Sequence, residues 1–142
     1  MIRILLSIVV VCFLPSASWG ASYGPYSLIA PIAVDGDTIR ADVMIWPGLV
    51  ADVAIRVIGV DTPEIEQSKC ATEKERGIAA RNFVNTWLAT RIPITINTVR
   101  LDKYAGRVDA VVLGNGELLS AAILQSGHGR PYNGGTRQSW CP

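Results

Sequence analysis

The chain has 142 residues, with 13 Lys+Arg, 12 Asp+Glu, one His and three Cys, for a formal net charge of +1. A composition 49% hydrophobic and 18% charged excludes a disordered chain, and 13 Gly with 8 Pro excludes a collagen-like or low-complexity one. The length admits one domain at most.

Residues 1–20 read MIRILLSIVVVCFLPSASWG. Arg3 supplies a short positive start, Ile4 to Leu14 an apolar run, and Pro15 its break. Ser18 and Gly20 then stand three and one residues before a cut ahead of Ala21, the pattern of a secretory signal peptide. A helix over that run rises about 16 Å, against a hydrocarbon core of roughly 30 Å, so a cleaved leader is expected over an uncleaved anchor. Cys12 is expected to leave with it, and residues 21–142 to form one exported domain, periplasmic or secreted.

Without Arg3, 12 basic residues face 12 acidic ones. No general basic face is then expected, so local charge and a metal must hold any anionic ligand. Export places Cys70 and Cys141 in an oxidising compartment, where an even pair predicts a disulfide; two free thiols or an intermolecular bridge are the alternatives. The bridge would close a loop of about 70 residues, worth roughly 4 kcal/mol in the chain-entropy model. Two cysteines and one distant His do not make a zinc set.

In chain order, residues 21–27 read as an arm and Leu28 to Val34 as a short apolar strand ending at Asp35-Gly36-Asp37. Thr38 to Trp46 alternates, with Ile39, Ala41, Val43 and Ile45 on one side, which predicts a half-buried strand. After the Pro47-Gly48 turn, Val50 to Val60 reads as one long strand. Val53, Ile55 and Val57 share one face; Arg56, Ile58 and Val60 share the other. The period then changes. Thr72 and Glu75 are spaced as a capping box, and Ala80, Val84, Trp87 and Leu88 form a helical stripe that Pro93 bounds near Arg91. Ile94 to Leu101 and Arg107 to Leu113 read as strands around a turn at Asp102 to Gly106. Leu119 to Ser126 reads as a short helix closed by Gly127. The tail from His128 has no period. This order predicts a mainly β protein with helices (α+β), a five-stranded OB-type barrel with one longer and one short helix; an open α+β sheet is the alternative.

Four carboxylates gather at two strand-end loops: Asp35 and Asp37 in VDGDT, Asp61 and Glu64 in VDTPE. Arg56 leads into the second loop and Arg107 follows DKYAG. Acids close in space repel unless some stay protonated or a cation sits among them. Hard oxygen donors without His or Cys suit Ca²⁺ or Mg²⁺, and guanidinium forks suit phosphate. Together these groups make a phosphoryl-transfer set, with a purely structural ion-pair network as the rival reading.

VDGDTIR at 34–40, IRVIGVDTPE at 55–64 and DKYAGR at 102–107 resemble the staphylococcal nuclease (thermonuclease-like) family in order and spacing. The likeness runs from about Ile32 to about Arg130. It implies an OB-fold barrel and a Ca²⁺-dependent phosphodiesterase acting on DNA and RNA, with Mg²⁺ the lesser alternative. It also implies loss of the 5′ oxygen, leaving 3′-phosphate ends. By that resemblance Asp37 and Asp61 are metal carboxylates, and the Thr62 main-chain carbonyl completes the protein's share of the shell. Asp35 is an acid behind them, and Glu64 orients or deprotonates the attacking water. Arg56 and Arg107 grip the reacting phosphate, while Lys103 and Tyr104 bind a neighbouring one.

The chain departs from the family pattern in two places. Ala105 is an extra residue in the DKYAGR turn, which bears on Lys103 and Tyr104. HGRPYNGGTRQSWCP replaces the tyrosine-bearing segment and the long terminal helix of the family prototype. Tyr132 is a candidate base-stacking residue there, and a Cys70–Cys141 bridge would take over the helix's fastening role. Arg130 and Arg137 are candidates for local positive charge; Trp46, Trp87 and Trp140 read as packing residues, and His128 lies outside every matched motif. A non-catalytic nucleic-acid- or protein-binding module on the same barrel is the competing function, with a small structural or inhibitory domain behind it. Nothing demands an obligate protein partner, a membrane partner after leader removal, or more than a monomer.

Overall fold

A computed structural model describes residues 23–104 and 106–142. The leader, its cleavage, Cys12 and the extra Ala105 therefore lie outside the described residues. No described helix is long and apolar enough to cross a membrane.

The elements in order are β1 (Tyr26–Ala33), β2 (Thr38–Trp46), β3 (Leu49–Val57), β4 (Gly59–Asp61), α1 (Ala71–Thr90), β5 (Ile94–Leu101), β6 (Arg107–Gly114), β7 (Glu117–Leu118), α2 (Leu119–Gln125) and β8 (Arg130–Tyr132). Strands β3, β2, β1, β5 and β6 pair antiparallel in that order, and a parallel β3–β6 ladder closes the sheet on itself. The result is a closed five-stranded mixed barrel with two helices, as an OB fold requires. Register shifts between Ile29 and Ile32 in β1, and between Asn97 and Arg100 in β5, mark irregularities at which the strands bend toward closure.

Alternation fills the interior. Ile39, Ala41 and Val43 of β2, Ile55 and Val57 of β3, Ile96 of β5, and Ala110 and Val112 of β6 are all buried in one core. The stripe Ala80, Val84, Trp87 and Leu88 of α1 closes onto it, and Leu119 and Ile123 of α2 fill the remaining side. The Schellman motif expected at Gly127 forms: Gly127 donates to the Leu124 carbonyl and His128 to that of Ile123.

The structure corrects the sequence reading at five points. The strand expected over Val50 to Val60 breaks after Val57, because Gly59 takes φ +90, a conformation that L side chains rarely adopt. The chain leaves the barrel there, and β4 pairs instead with β8, a strand inside the supposedly irregular tail. The Thr72–Glu75 capping box does not form. Cys70 is the N-cap, and Glu73 accepts the Lys69 backbone N–H at 2.7 Å. Ile45 is exposed despite its alternating position, and Trp46 is 71% exposed at the β2–β3 turn, so it is not a packing residue. Tyr26 and Ser27, expected in the arm, already belong to β1.

Candidate functional site

The two acid loops meet at one rim of the barrel. The first, Asp35–Asp37, connects β1 to β2. The Asp37 carbonyl accepts the Val57 N–H at 2.8 Å, so the end of β3 anchors the loop. Gly36 is the point of closest approach: a Cβ there would lie 2.7 Å from both Thr62 Oγ1 and the Ala80 Cβ. Only a residue without a side chain lets this turn press against the second loop and α1 together. Asp35 Oδ1 accepts the Asp37 N–H at 3.0 Å, which fixes the turn.

The second loop starts at Asp61 in β4 and continues through Thr62 and Pro63 to Glu64. The Thr62 N–H donates to Asp37 Oδ2 at 2.9 Å and joins the two loops directly. Arg56 sits between them. Its NH1 lies 2.5 Å from Asp37 Oδ1 and its NH2 3.8 Å from Asp61 Oδ1, all three side chains being nearly buried. Burial pushes the Asp37 carboxyl up to about 7; the Arg56 charge and the Thr62 N–H pull it down, and Asp35 reinforces the rise.

The parallel ladder places the second arginine. Ala54 pairs with Arg107 and Arg56 with Asp109, so all four residues share one face of the wall. Ile55, Val57, Val108 and Ala110 share the other, which faces the core. Arg56 and Arg107 are thus diagonal neighbours outside the barrel. Arg107 Nε donates to Asp102, and its terminal nitrogens make no hydrogen bond among the described residues. Burial raises the Asp102 carboxyl, but Arg107 and the Lys103 and Tyr104 N–H groups together hold it below the usual range. Tyr104 lies beside this pair, with Lys103 Nζ and the Arg107 guanidinium each 5.0 Å from its ring centroid.

The tail from β8 onward closes the site. Cys141 is disulfide-bonded to Cys70 at the start of α1, as the cysteine count predicts. Asp61 and Arg130 are cross-strand partners, and Arg130 Nε donates to Asp61 Oδ2 at 3.1 Å. The Arg130 guanidinium stacks 3.9 Å from the Trp140 ring, whose Nε1–H also donates to Asp61 Oδ2, at 3.1 Å. Arg137 Nε lies 3.2 Å from Asp61 Oδ1, and its NH1 donates to Glu64 Oε1. Burial alone would lower the Arg137 pKa; the charges of Asp37, Asp61 and Glu64 more than reverse it. Asp61 Oδ1 is fully buried and accepts no well-directed hydrogen bond among the described residues, despite the two guanidinium groups near it.

Two spaces adjoin these groups. An open cleft of about 1110 Å³ is lined by Asp35, Arg56, Glu64 and Arg107, with Lys103, Tyr104 and Tyr132 along its walls. An inner cavity of about 200 Å³ is lined by Asp61 and Thr62 on one side and by Arg137 to Trp140 on the other. The structure therefore brings every expected site residue to one region. His128 stays outside it and packs against Phe83, ring centroids 5.0 Å apart. The sequence reading missed the contacts of Arg130, Arg137 and Trp140 with Asp61. Cys70 stands six residues after Glu64, so its pairing with Cys141 was the available signal that the tail returns to this loop.

A closed β-barrel with paired acid loops and two outward guanidinium groups on its rim defines a nuclease-like OB-fold domain. The model of the family described as staphylococcal nuclease homologue matches residues 54–139, and the chain belongs to that family. The match begins after Asp35 and Asp37 and ends before Trp140 and Cys141. No curated protein matches the chain.

Proposed function

We propose that this protein is an exported, metal-dependent endonuclease that hydrolyses phosphodiester bonds in DNA and RNA. The observation that supports it most is the meeting of Asp37 and Asp61 at one guanidinium, Arg56, beside a cleft that Glu64 and Arg107 also line.

Asp37, Asp61 and the Thr62 carbonyl would hold Ca²⁺ in preference to Mg²⁺. The donors are all hard oxygens, and buried Asp61 Oδ1 accepts no directed hydrogen bond, which fits a cation. When bound, that ion supplies charge neutralisation for a phosphodiester that bare carboxylates would repel, and polarises one of its oxygens. Asp35 acts behind this set by holding the Asp37 backbone.

Glu64, on the cleft wall, takes the proton of the attacking water. Charge then builds on the equatorial oxygens of phosphorus, where Arg56 and Arg107 stabilise it. Each such contact is worth about 3 kcal/mol, by analogy with loss of one oxyanion donor. Arginine holds its proton up to a pKa above about 12, so Arg107 acts through charge and not as an acid. Lys103 and Tyr104 contact a neighbouring phosphate, and Tyr132 offers a ring to a base. By the family resemblance, the 5′ oxygen leaves, taking a proton from solvent water, and a 3′-phosphate end remains.

The test is incubation of residues 21–142 with single-stranded DNA and RNA, in Ca²⁺, in Mg²⁺ and with chelator, beside Glu64→Gln. Cleavage is expected with Ca²⁺, lost on chelation, and reduced about 10²- to 10⁴-fold by the substitution. Cleavage indifferent to either change overturns the mechanism. Binding without cleavage in any condition makes the barrel a binding module instead.

A further inference from the structure

We propose that Arg137 is a built-in competitor of the divalent ion: the disulfide-tethered tail delivers its guanidinium to Asp61 Oδ1 and Glu64 Oε1, and metal entry requires it to swing out. The inference rests on the metal-dependent reading above and adds a threshold to it.

Asp61 and Thr62 line the inner cavity but not the open cleft. Glu64, Gln67 and Arg137 line both, so they stand between the two spaces. Arg137 is the one cation among the three. Its Nε lies 3.2 Å from Asp61 Oδ1, the oxygen left over once Arg130 and Trp140 have taken Oδ2.

In the form that can take a metal, with Asp37 ionised, Asp35, Asp37, Asp61 and Glu64 carry four negative charges, against three positive ones on Arg56, Arg130 and Arg137. Exchanging Arg137 for a divalent ion brings the cluster from −1 to zero. Adding the ion while Arg137 stays gives +1 and sets cation against cation over the same carboxylates.

Of the three guanidinium groups, that of Arg137 is the freest to leave. Arg56 sits in β3, wedged between the two loops. Arg130 belongs to the β4–β8 ladder, stacks on Trp140 and donates to the carbonyls of Gln138 and Ser139. Arg137 follows the Gly134-Gly135 pair on a segment without regular structure, and its side chain is 37% exposed. Its guanidinium also lies 5.8 Å from the Tyr132 ring. Four residues later Cys141 fixes the segment to Cys70, which keeps the guanidinium close to the acids at high effective concentration.

A ligand that must displace such a group binds with its intrinsic affinity reduced by the fraction of open sites. The test is Ca²⁺ titration calorimetry on the oxidised domain, on Arg137→Gln, on Cys141→Ser and on the double variant, with circular dichroism confirming folding. Arg137→Gln is expected to tighten Ca²⁺ binding about tenfold or more. Cys141→Ser should tighten it by a smaller factor, and should add nothing to Arg137→Gln. Unchanged or weaker Ca²⁺ binding by Arg137→Gln overturns the competitor role while the metal site stands. Further tightening of Arg137→Gln by Cys141→Ser overturns the tether. Absence of Ca²⁺ binding in all four proteins defeats the metal reading itself, and this inference with it.

Discussion

The two acid loops solve the same electrostatic problem by different means. Asp37 is held by the barrel wall and the adjoining loop: its carbonyl by Val57, one oxygen by Arg56 and the other by the Thr62 N–H. Asp61 is held largely by Arg130, Arg137 and Trp140 of a tail joined to the body by a three-residue ladder and one disulfide. The first arrangement persists as long as the barrel does. The second depends on a covalent link far along the chain, which makes that half of the site conditional.

The sharpest way to break the symmetry is Arg56→Ala. It removes the one group that serves both loops and strands the nearly buried Asp37 carboxylate, at an expected cost of about 3–5 kcal/mol in urea unfolding. A loss below about 1 kcal/mol would mean that the loops do not depend on it. Cys141→Ser attacks the tail alone and is expected to cost up to about 4 kcal/mol. An unchanged thermal midpoint would show that the tail's ion pairs suffice without the bond. Gly36→Ala drives a methyl group into Thr62 and Ala80 and is expected to cost about 1–3 kcal/mol, as overpacking does. A neutral result would mean that the loops can separate freely.

The effect of pH on the metal-free protein probes the first loop alone. Because the folded-state pKa of Asp37 is raised from 3.8 to about 7, the native state binds the proton more tightly than the unfolded state. The stability from this group is complete below about pH 4 and is lost as pH rises through 7, with a slope of at most about 1.4 kcal/mol per pH unit. Asp37→Asn should flatten that slope between pH 4.5 and 7.5. Equal slopes in the two proteins would remove Asp37 as its source.

The barrel was legible because its signal is local. Alternation in Thr38 to Val43 and the stripe from Ala80 to Leu88 place the same residues inside that the structure buries. The acid loops were legible as motifs, since Asp-Gly-Asp and Asp-Thr-Pro-Glu each end a strand. The break at Gly59 was only half visible: a glycine within a strand pattern marks an irregularity but not its direction. The tail was opaque because no periodicity decides its path. Its position comes from a disulfide and from ion pairs 69 and 73 residues apart in sequence, for Arg130 with Asp61 and Arg137 with Glu64. Trp46 ran against expectation because a turn at the end of a hairpin offers an aromatic ring nothing to pack on.

Glu73 is buried in the first turn of α1, with Oε2 3.7 Å from Cys141 Sγ. Thiol–disulfide exchange proceeds by approach of a negatively charged sulfur along the S–S axis. A carboxylate lodged beside one of the two sulfurs repels that approach and disfavours departure of Cys141 as an anion. Small anionic thiols are therefore expected to open the loop slowly, and Glu73→Gln to quicken them. The fastening of the tail has its own timer, written in a residue outside the open cleft.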